Sequence, residues 1–161
     1  MSLDNQNLLG FDVTSSGTVE FVTVHLGDQL LGIPVLAVHD VLRSQNITPI
    51  PLSQDSIAGV LNLRGKIVTA IDLRKHLGFN ERAGDDSYMC VVIEHRNEPY
   101  SFLIDKVGEV IAGKASAYDT NPVTMHDRLR EVSSGIFRLD GKLLIVLDVE
   151  HLLDNQLSSV A

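Results

Sequence analysis

Along Val22-Thr23-Val24-His25-Leu26, apolar and polar side chains alternate with the two-residue period of a half-buried strand. Gly27-Asp28 supplies a turn into Gln29-Leu30-Leu31-Gly32-Ile33, so the pattern predicts an opening hairpin. Pro34 stands where the first turn of a short helix tolerates it, with Val35, Val38, Val41 and Leu42 on one face at helical spacing. A partly extended path suits the same residues. Further on, Gly59 to Leu63 and Lys66 to Ile71 predict two strands joined by Arg64-Gly65, and Asp72 is placed to cap a helix over Leu73-Arg74-Lys75-His76-Leu77.

The same pattern recurs. Residues 59–72 laid over 135–148, an offset of 76, match Gly59 to Gly135, Leu63 to Leu139, Gly65 to Gly141, Lys66 to Lys142 and Asp72 to Asp148, five identities in 14 positions. Upstream, Val22-Thr-Val over Val91-Val-Ile and Val38-His-Asp-Val-Leu42 over Val107-Gly-Glu-Val-Ile111 align at an offset of 69. The connection 43–58 has 16 residues and 112–134 has 23, and the difference of 7 is the change of offset. The chain therefore carries two copies of one supersecondary unit. Short strands rich in Val, Ile and Leu bury little in an open sheet, so a mostly β fold is expected in which each copy closes into a small barrel. Residues 1–18 are expected to form a flexible N-terminal segment, 19–78 and 88–153 the two copies, with exchange of strands between them left open, 79–87 the polar boundary between them, and 154–161 a C-terminal tail. The 112–134 connection, with Asn121-Pro122, predicts a long surface loop with a short helix near Met125 to Val132.

Composition narrows the partners. With 161 residues and 44% hydrophobic content, the chain has enough core for one conventional domain or two very small ones. Its 13 Lys plus Arg against 21 Asp plus Glu give a net charge of −8, which repels phosphate backbones and anionic lipid. Only 5% of residues are aromatic and none is Trp, which removes the stacking platforms of single-strand binders. Another protein is the expected partner, without nucleic acid and without membrane insertion. The lone Cys90 offers neither an internal disulfide nor a thiolate zinc site, as in a reducing cytoplasm. No basic segment followed by an apolar core stands at the start, and the apolar runs near 30–38 and 143–147 are too short to span a bilayer, so neither secretion nor a membrane span is expected.

Candidate chemistry is sparse. His25, His39, His76, His95, His126 and His151 are scattered without ligand spacing, and the chain has no G-x-S-x-G elbow, Walker loop or G-x-G-x-x-G, so no catalytic residue, metal or cofactor is predicted. His76 and His151 read as solvated helix positions. Asp72 and Asp148, being repeat equivalents, read as matched helix caps rather than a carboxylate pair. The two copies differ at one hairpin: Asp140-Gly141 suits a tight turn, whereas Arg64-Gly65 places a long guanidinium where a turn gains nothing from it. Arg64 is then either a solvated cation on an acidic protein or a five-donor fork for a partner carboxylate or carbonyl. In Val38-His39-Asp40-Val41 the apolar residues suit a core and Asp40 faces elsewhere, and Val107, Glu109 and Val110 repeat this. If the copies pack side by side, these segments line the groove between them. Three classes of function fit: a protein adaptor, a small-molecule-binding barrel, and an enzyme using Asp and His from surface loops.

These residues resemble the CheW chemotaxis coupling proteins. The resemblance rests on Gly59-Val-Leu-Asn-Leu-Arg-Gly65 followed by an apolar strand and Asp72-Leu73-Arg74, on Leu26-Gly27-Asp28 leading to Gly32-Ile33, and on Val38-His39-Asp40-Val41, and covers roughly residues 19–153. It implies one CheW-like domain built of two intertwined five-stranded barrels, without enzymatic activity or cofactor. It also implies an adaptor that bridges the cytoplasmic tips of methyl-accepting chemoreceptors to the regulatory domain of the histidine kinase CheA and helps build signalling arrays. Such a protein works in the cytoplasm, recruited to arrays at the membrane. Carried over, Arg64 with Asn62 and Gly65, Val38 with Asp40, and Val107 with Val110 match positions that the family uses around its receptor and kinase contacts. The family commonly places Glu where Asp40 stands. CheV and CheA share the module within longer chains, so a free-standing adaptor is expected.

Overall fold

Eleven strands and three helices are present in the computed structural model, which describes residues 17–80, 87–139 and 141–158, side chains 155–158 excepted. Residues 1–16, the segment 81–86 within the expected boundary, Asp140 of the second hairpin and residues 159–161 lie outside the described residues. The first copy supplies β1 (Thr18–Leu26), β2 (Gln29–Pro34), a 3-10 turn (Val35–Ala37), β3 (Val38–Arg43), β4 (Ile57–Leu63), β5 (Lys66–Asp72) and α1 (Leu73–His76). The second supplies β6 (Met89–His95), β7 (Glu98–Ile104), β8 (Lys106–Lys114), a 3-10 turn (Ala115–Ala117), β9 (Tyr118–Asp119), α2 (Asp127–Val132), β10 (Ser133–Leu139), β11 (Lys142–Leu147) and α3 (Val149–Ser158). The fold is mostly β. The stretch read as a loop thus contains the end of β8, β9 and α2, and the last helix runs through Ser158, into residues taken for a tail.

The helical spacing after Pro34 does not produce a helix beyond the single 3-10 turn; Val38 to Arg43 are extended and pair with β6 in the register Val41 to Val91 and Leu42 to Cys90. Here β-branched side chains and a waiting ladder outweigh the helical period. Capping went as the residues suggested: Asp72 Oδ1 accepts the Arg74 N–H at 3.0 Å, and Asp148 Oδ1 accepts the His151 N–H at 3.1 Å.

Strand order corrects the expectation that each copy closes on itself. One sheet runs β8-β1-β2-β11-β10-β9 and the other β3-β6-β7-β5-β4, so neither copy closes on itself. Each opening hairpin joins the later strands of the other copy, through the parallel pairs β2–β11 and β5–β7. The crossing is made after Pro34, which lacks an N–H to extend a ladder and leads into the 3-10 turn that delivers β3 to β6. Each sheet then curls until its far strands meet. In the first, the Phe137 ring of β10 lies 3.0 Å from where a Gly113 Cβ on β8 would stand. In the second, Thr48, just beyond β3, exchanges both backbone hydrogen bonds with Val60 of β4 at 2.8 and 2.9 Å.

That closure explains the matched pair Gly59 and Gly135. A Cβ on Gly59 would collide with the Thr48 carbonyl, and one on Gly135 with the Tyr118 ring and with the Asp119 carbonyl at 2.7 Å. Among the described residues, three apolar cores result. Val19, Phe21, Phe137, Leu144 and Val146 fill the first barrel, and Leu61, Val68, Ala70, Cys90 and Leu103 fill the second. The largest cluster lies between the barrels and takes in Ile33, Ile71, Ile93, Phe102, Ile136, Ile145, Leu152 and Leu153.

Candidate functional site

Arg64 and Gly65 form the β4–β5 turn with φ of 54° and 85°, the left-handed pair that matches strand twist in a two-residue hairpin. Asn62 Oδ1 accepts the Gly65 N–H at 3.0 Å and closes the turn. Left-handed backbone costs a non-glycine residue about 1 kcal/mol, and the Arg64 side chain, 81% exposed, recovers nothing by packing. Its Nη2 lies 3.4 Å from Asp40 Oδ2 on β3, while Asp40 Oδ1 accepts the Val41 N–H at 2.9 Å. An ion pair so exposed contributes at most about 1 kcal/mol, so its effect is to aim the guanidinium. β3 and β4 stand at opposite ends of their sheet in hydrogen-bonded order, and the curl brings Asp40 beside the hairpin. Asp40, Asn62, Arg64 and Gly65 thus share one surface, with half-buried Val38 two residues away on β3, packed on the central cluster.

Val107 and Val110 stand on the other sheet, on β8. Both sets nevertheless have the same local architecture, because each pair brackets a β-bulge. On β3, Val38 pairs with Ile93 and Asp40 with Val92, leaving His39 as the extra residue. On β8, Val107 pairs with Val24 and Val110 with Val22, so Gly108 and Glu109 together oppose Thr23. A bulge turns side chains that would otherwise alternate regularly. Val107 packs on the central cluster, as Val38 does, whereas Val110 is 57% exposed. Thr23, buried in β1, donates its hydroxyl to the Glu109 carbonyl at 2.6 Å.

The spacing of the sequence conceals the bulges, and two further groups neighbour the site. His39 Nε2 lies 3.6 Å from Glu94 on β6, beside Asp40. Ile67, paired with Asn62 across the hairpin, is 64% exposed. Its signal was readable: in Lys66-Ile67-Val68-Thr69-Ala70 it is apolar at an outward position. Among the described residues, no cluster of three or more His, Cys, Asp or Glu is placed to hold a metal ion, and no helix is long and apolar enough to cross a membrane.

Comparison with known proteins gives a consistent result. The family described as the CheW-like domain matches residues 20–157. A chemotaxis protein CheW of Thermotoga maritima is 30% identical over 137 residues, covering 84% of this chain and 87% of that protein. A chemotaxis protein CheW of Klebsiella aerogenes is 29% identical over 137 residues, covering 85% and 82%. Among solved structures, the scaffolding protein TtCheW from Thermoanaerobacter tengcongensis superposes with a TM-score of 0.76 at 28% identity, covering 83% of this chain and 91% of that one.

Proposed function

This chain belongs to the family of CheW-like domains, and on that premise we propose that it is a non-enzymatic adaptor coupling chemoreceptor tips to the regulatory domain of the kinase CheA. It acts in the cytoplasm at membrane-associated arrays and needs no cofactor. The observation that carries this reading is Arg64, held in left-handed backbone at a hairpin tip and aimed by Asp40, an arrangement that favours a partner over the fold. A receptor's helical hairpin lays apolar residues along Val38, Val107 and Val110, while Asp40 sets register. The barrel face with Asn62, Arg64, Gly65 and exposed Ile67 packs on the related domain of the kinase. Because Val38 and Val107 rest on one central cluster, the β3 and β8 parts of the receptor contact are held at fixed geometry. Each contact need be only modest, since a lattice of many raises effective concentration.

The test is autophosphorylation of the cognate CheA on receptor-containing membranes with and without this protein, alongside co-sedimentation. A large gain that depends on the protein is expected, and Arg64→Glu is expected to remove most of it while thermal unfolding stays unchanged. No gain and no co-sedimentation from folded protein overturns the coupling role; full activation by Arg64→Glu overturns the role of Arg64 alone.

A further inference from the structure

The two bulges that bracket the proposed contacts are built differently. On β3, Asp40 is its own brace, since its Oδ1 accepts the Val41 N–H at 2.9 Å. The residue facing that bulge from β6 is Val92, which has no polar atom to offer. On β8, the facing residue is Thr23, the repeat equivalent of Val92 at an offset of 69, and a hydroxyl replaces a methyl. Thr23 is 4% exposed, and its hydroxyl donates at 2.6 Å to the carbonyl of Glu109, the residue that the bulge displaces. Gly108, the other bulged residue, leaves room for it. A Cβ there would stand 2.6 Å from Thr23 Oγ1 and 3.1 Å from His25 Nε2.

We propose that Thr23 and Gly108 are positioning residues for the receptor-contact strand: the buried hydroxyl and the missing Cβ together set the β8 bulge that turns Val110 outward. The inference rests on the reading of β8 as a receptor contact. The physical step is short. A threonine inside a sheet ordinarily leaves its hydroxyl to bond locally, whereas here it crosses to the neighbouring strand and fixes the carbonyl of an extra residue. Without the hydroxyl, the Glu109 carbonyl loses that partner, the two-against-one count is no longer held, and the Val110 side chain loses its fixed direction. The fold itself tolerates the loss, because the equivalent site in the other sheet is occupied by valine.

The experiment uses the full chain, a soluble signalling-tip fragment of a cognate chemoreceptor and the regulatory domain of the cognate CheA. Thr23→Val is expected to weaken receptor-fragment binding about five- to tenfold, the loss typical of a displaced interface anchor. Binding of the kinase domain, which the Arg64 face makes, is expected to stay unchanged, and Thr23→Ser is expected to restore receptor binding. Gly108→Ala, pressing on the same hydroxyl from the opposite strand, is expected to give the same selective loss and serves if Thr23→Val does not fold. Val110→Lys separates this inference from the reading beneath it. If Val110→Lys weakens receptor binding and Thr23→Val and Gly108→Ala do not, the positioning role is overturned and the β8 contact stands. Should Val110→Lys also bind normally, both are overturned. Equal losses from Thr23→Val and Thr23→Ser, or a parallel loss of kinase binding, point to packing and overturn the role of the hydroxyl.

Discussion

The two hairpins that cross between the copies are tied down in opposite ways. At the β1–β2 turn, the Gly27 N–H donates to Asp105 Oδ2 at 2.8 Å, and Arg74 of α1 grips the same carboxylate through Nε at 2.7 Å and Nη2 at 2.5 Å. Arg74 also donates through Nη1 to the Asn80 carbonyl at 2.8 Å, so one largely buried fork joins α1, the β7–β8 junction and the turn. At the β6–β7 turn, Arg96 and Asn97 both take left-handed backbone, and half-exposed Asp154 of α3 meets His95 Nε2 at 2.9 Å and Arg96 Nη2 at 3.2 Å. The duplicated strands therefore share a backbone plan, fixed by steric necessity at Gly59 and Gly135, while the polar groups that lock the exchange have diverged. One lock is bidentate and largely buried; the other joins buried His95 and exposed Arg96 to a half-exposed carboxylate.

The difference is measurable. Asp105→Ala takes the carboxylate from a mostly buried guanidinium and a turn N–H, and is expected to lower stability by about 3 kcal/mol in urea unfolding. Asp154→Ala, which removes the bond to buried His95, is expected to lower it by about 1 to 2 kcal/mol. Equal losses would break the comparison.

The barrel interiors sharpen it further. Phe137 and Leu61 are repeat equivalents at an offset of 76, yet the first barrel packs Phe137 against Phe21 as a tilted pair at 5.3 Å between centroids, while the second groups Leu61 with small neighbours such as Ala70 and Cys90. Leu61→Phe is therefore expected to overpack and destabilise by about 2 kcal/mol, and Phe137→Leu to cost about 1 kcal/mol through a small cavity. Unfolding midpoints of the two variants check both.

At the β4–β5 hairpin the comparison reverses sign. Arg64→Gly releases a left-handed residue, and a gain of up to about 1 kcal/mol in stability is expected together with loss of kinase activation. A variant that is both more stable and fully active would show that Arg64 is held for no partner.

The sequence revealed the repeat, the Asp72 and Asp148 caps, the β4–β5 hairpin and the α2 helix, because each depends on residues close together in the chain. It made Val35 to Leu42 ambiguous, since β-branched residues at helical spacing satisfy two periods, and only the β6 ladder decides between them. The exchange between copies is implied by the family resemblance and not by the periodicity, for a related reason: within one copy no residue reports which sheet the next strand joins. Of the candidate site, Arg64 stood out by its unsuitability for a turn, but Asp40 as its ion-pair partner depends on the curl that brings β3 to β4. The bulge at Gly108 and Glu109 has no one-dimensional signature beyond a glycine in a strand.

The smallest expected difference between the barrels is electrostatic. Cys90 is the repeat equivalent of Phe21 at an offset of 69, so the second barrel carries an ionisable group where the first carries a benzene ring. Burial pushes the Cys90 thiol above its ordinary 9.0, partly offset by the nearby Ser101 hydroxyl and the Gln45 backbone. The unfolded chain then ionises this thiol before the folded one does. Its contribution to stability is intact below about pH 9 and is lost as pH rises from there towards the folded value, at up to about 1.4 kcal/mol per pH unit. Tyr100, raised by burial and then by the charge of Glu98, acts in the same direction from its ordinary 10.0, so the comparison needs a variant that isolates the thiol. Cys90→Ala is expected to cost stability at neutral pH through its cavity, and to narrow its gap to the parent chain as urea midpoints are taken above pH 9. A gap that stays constant across that range would mean that the thiol ionises alike folded and unfolded, and that the second barrel, despite its cysteine, behaves in alkali as the first does.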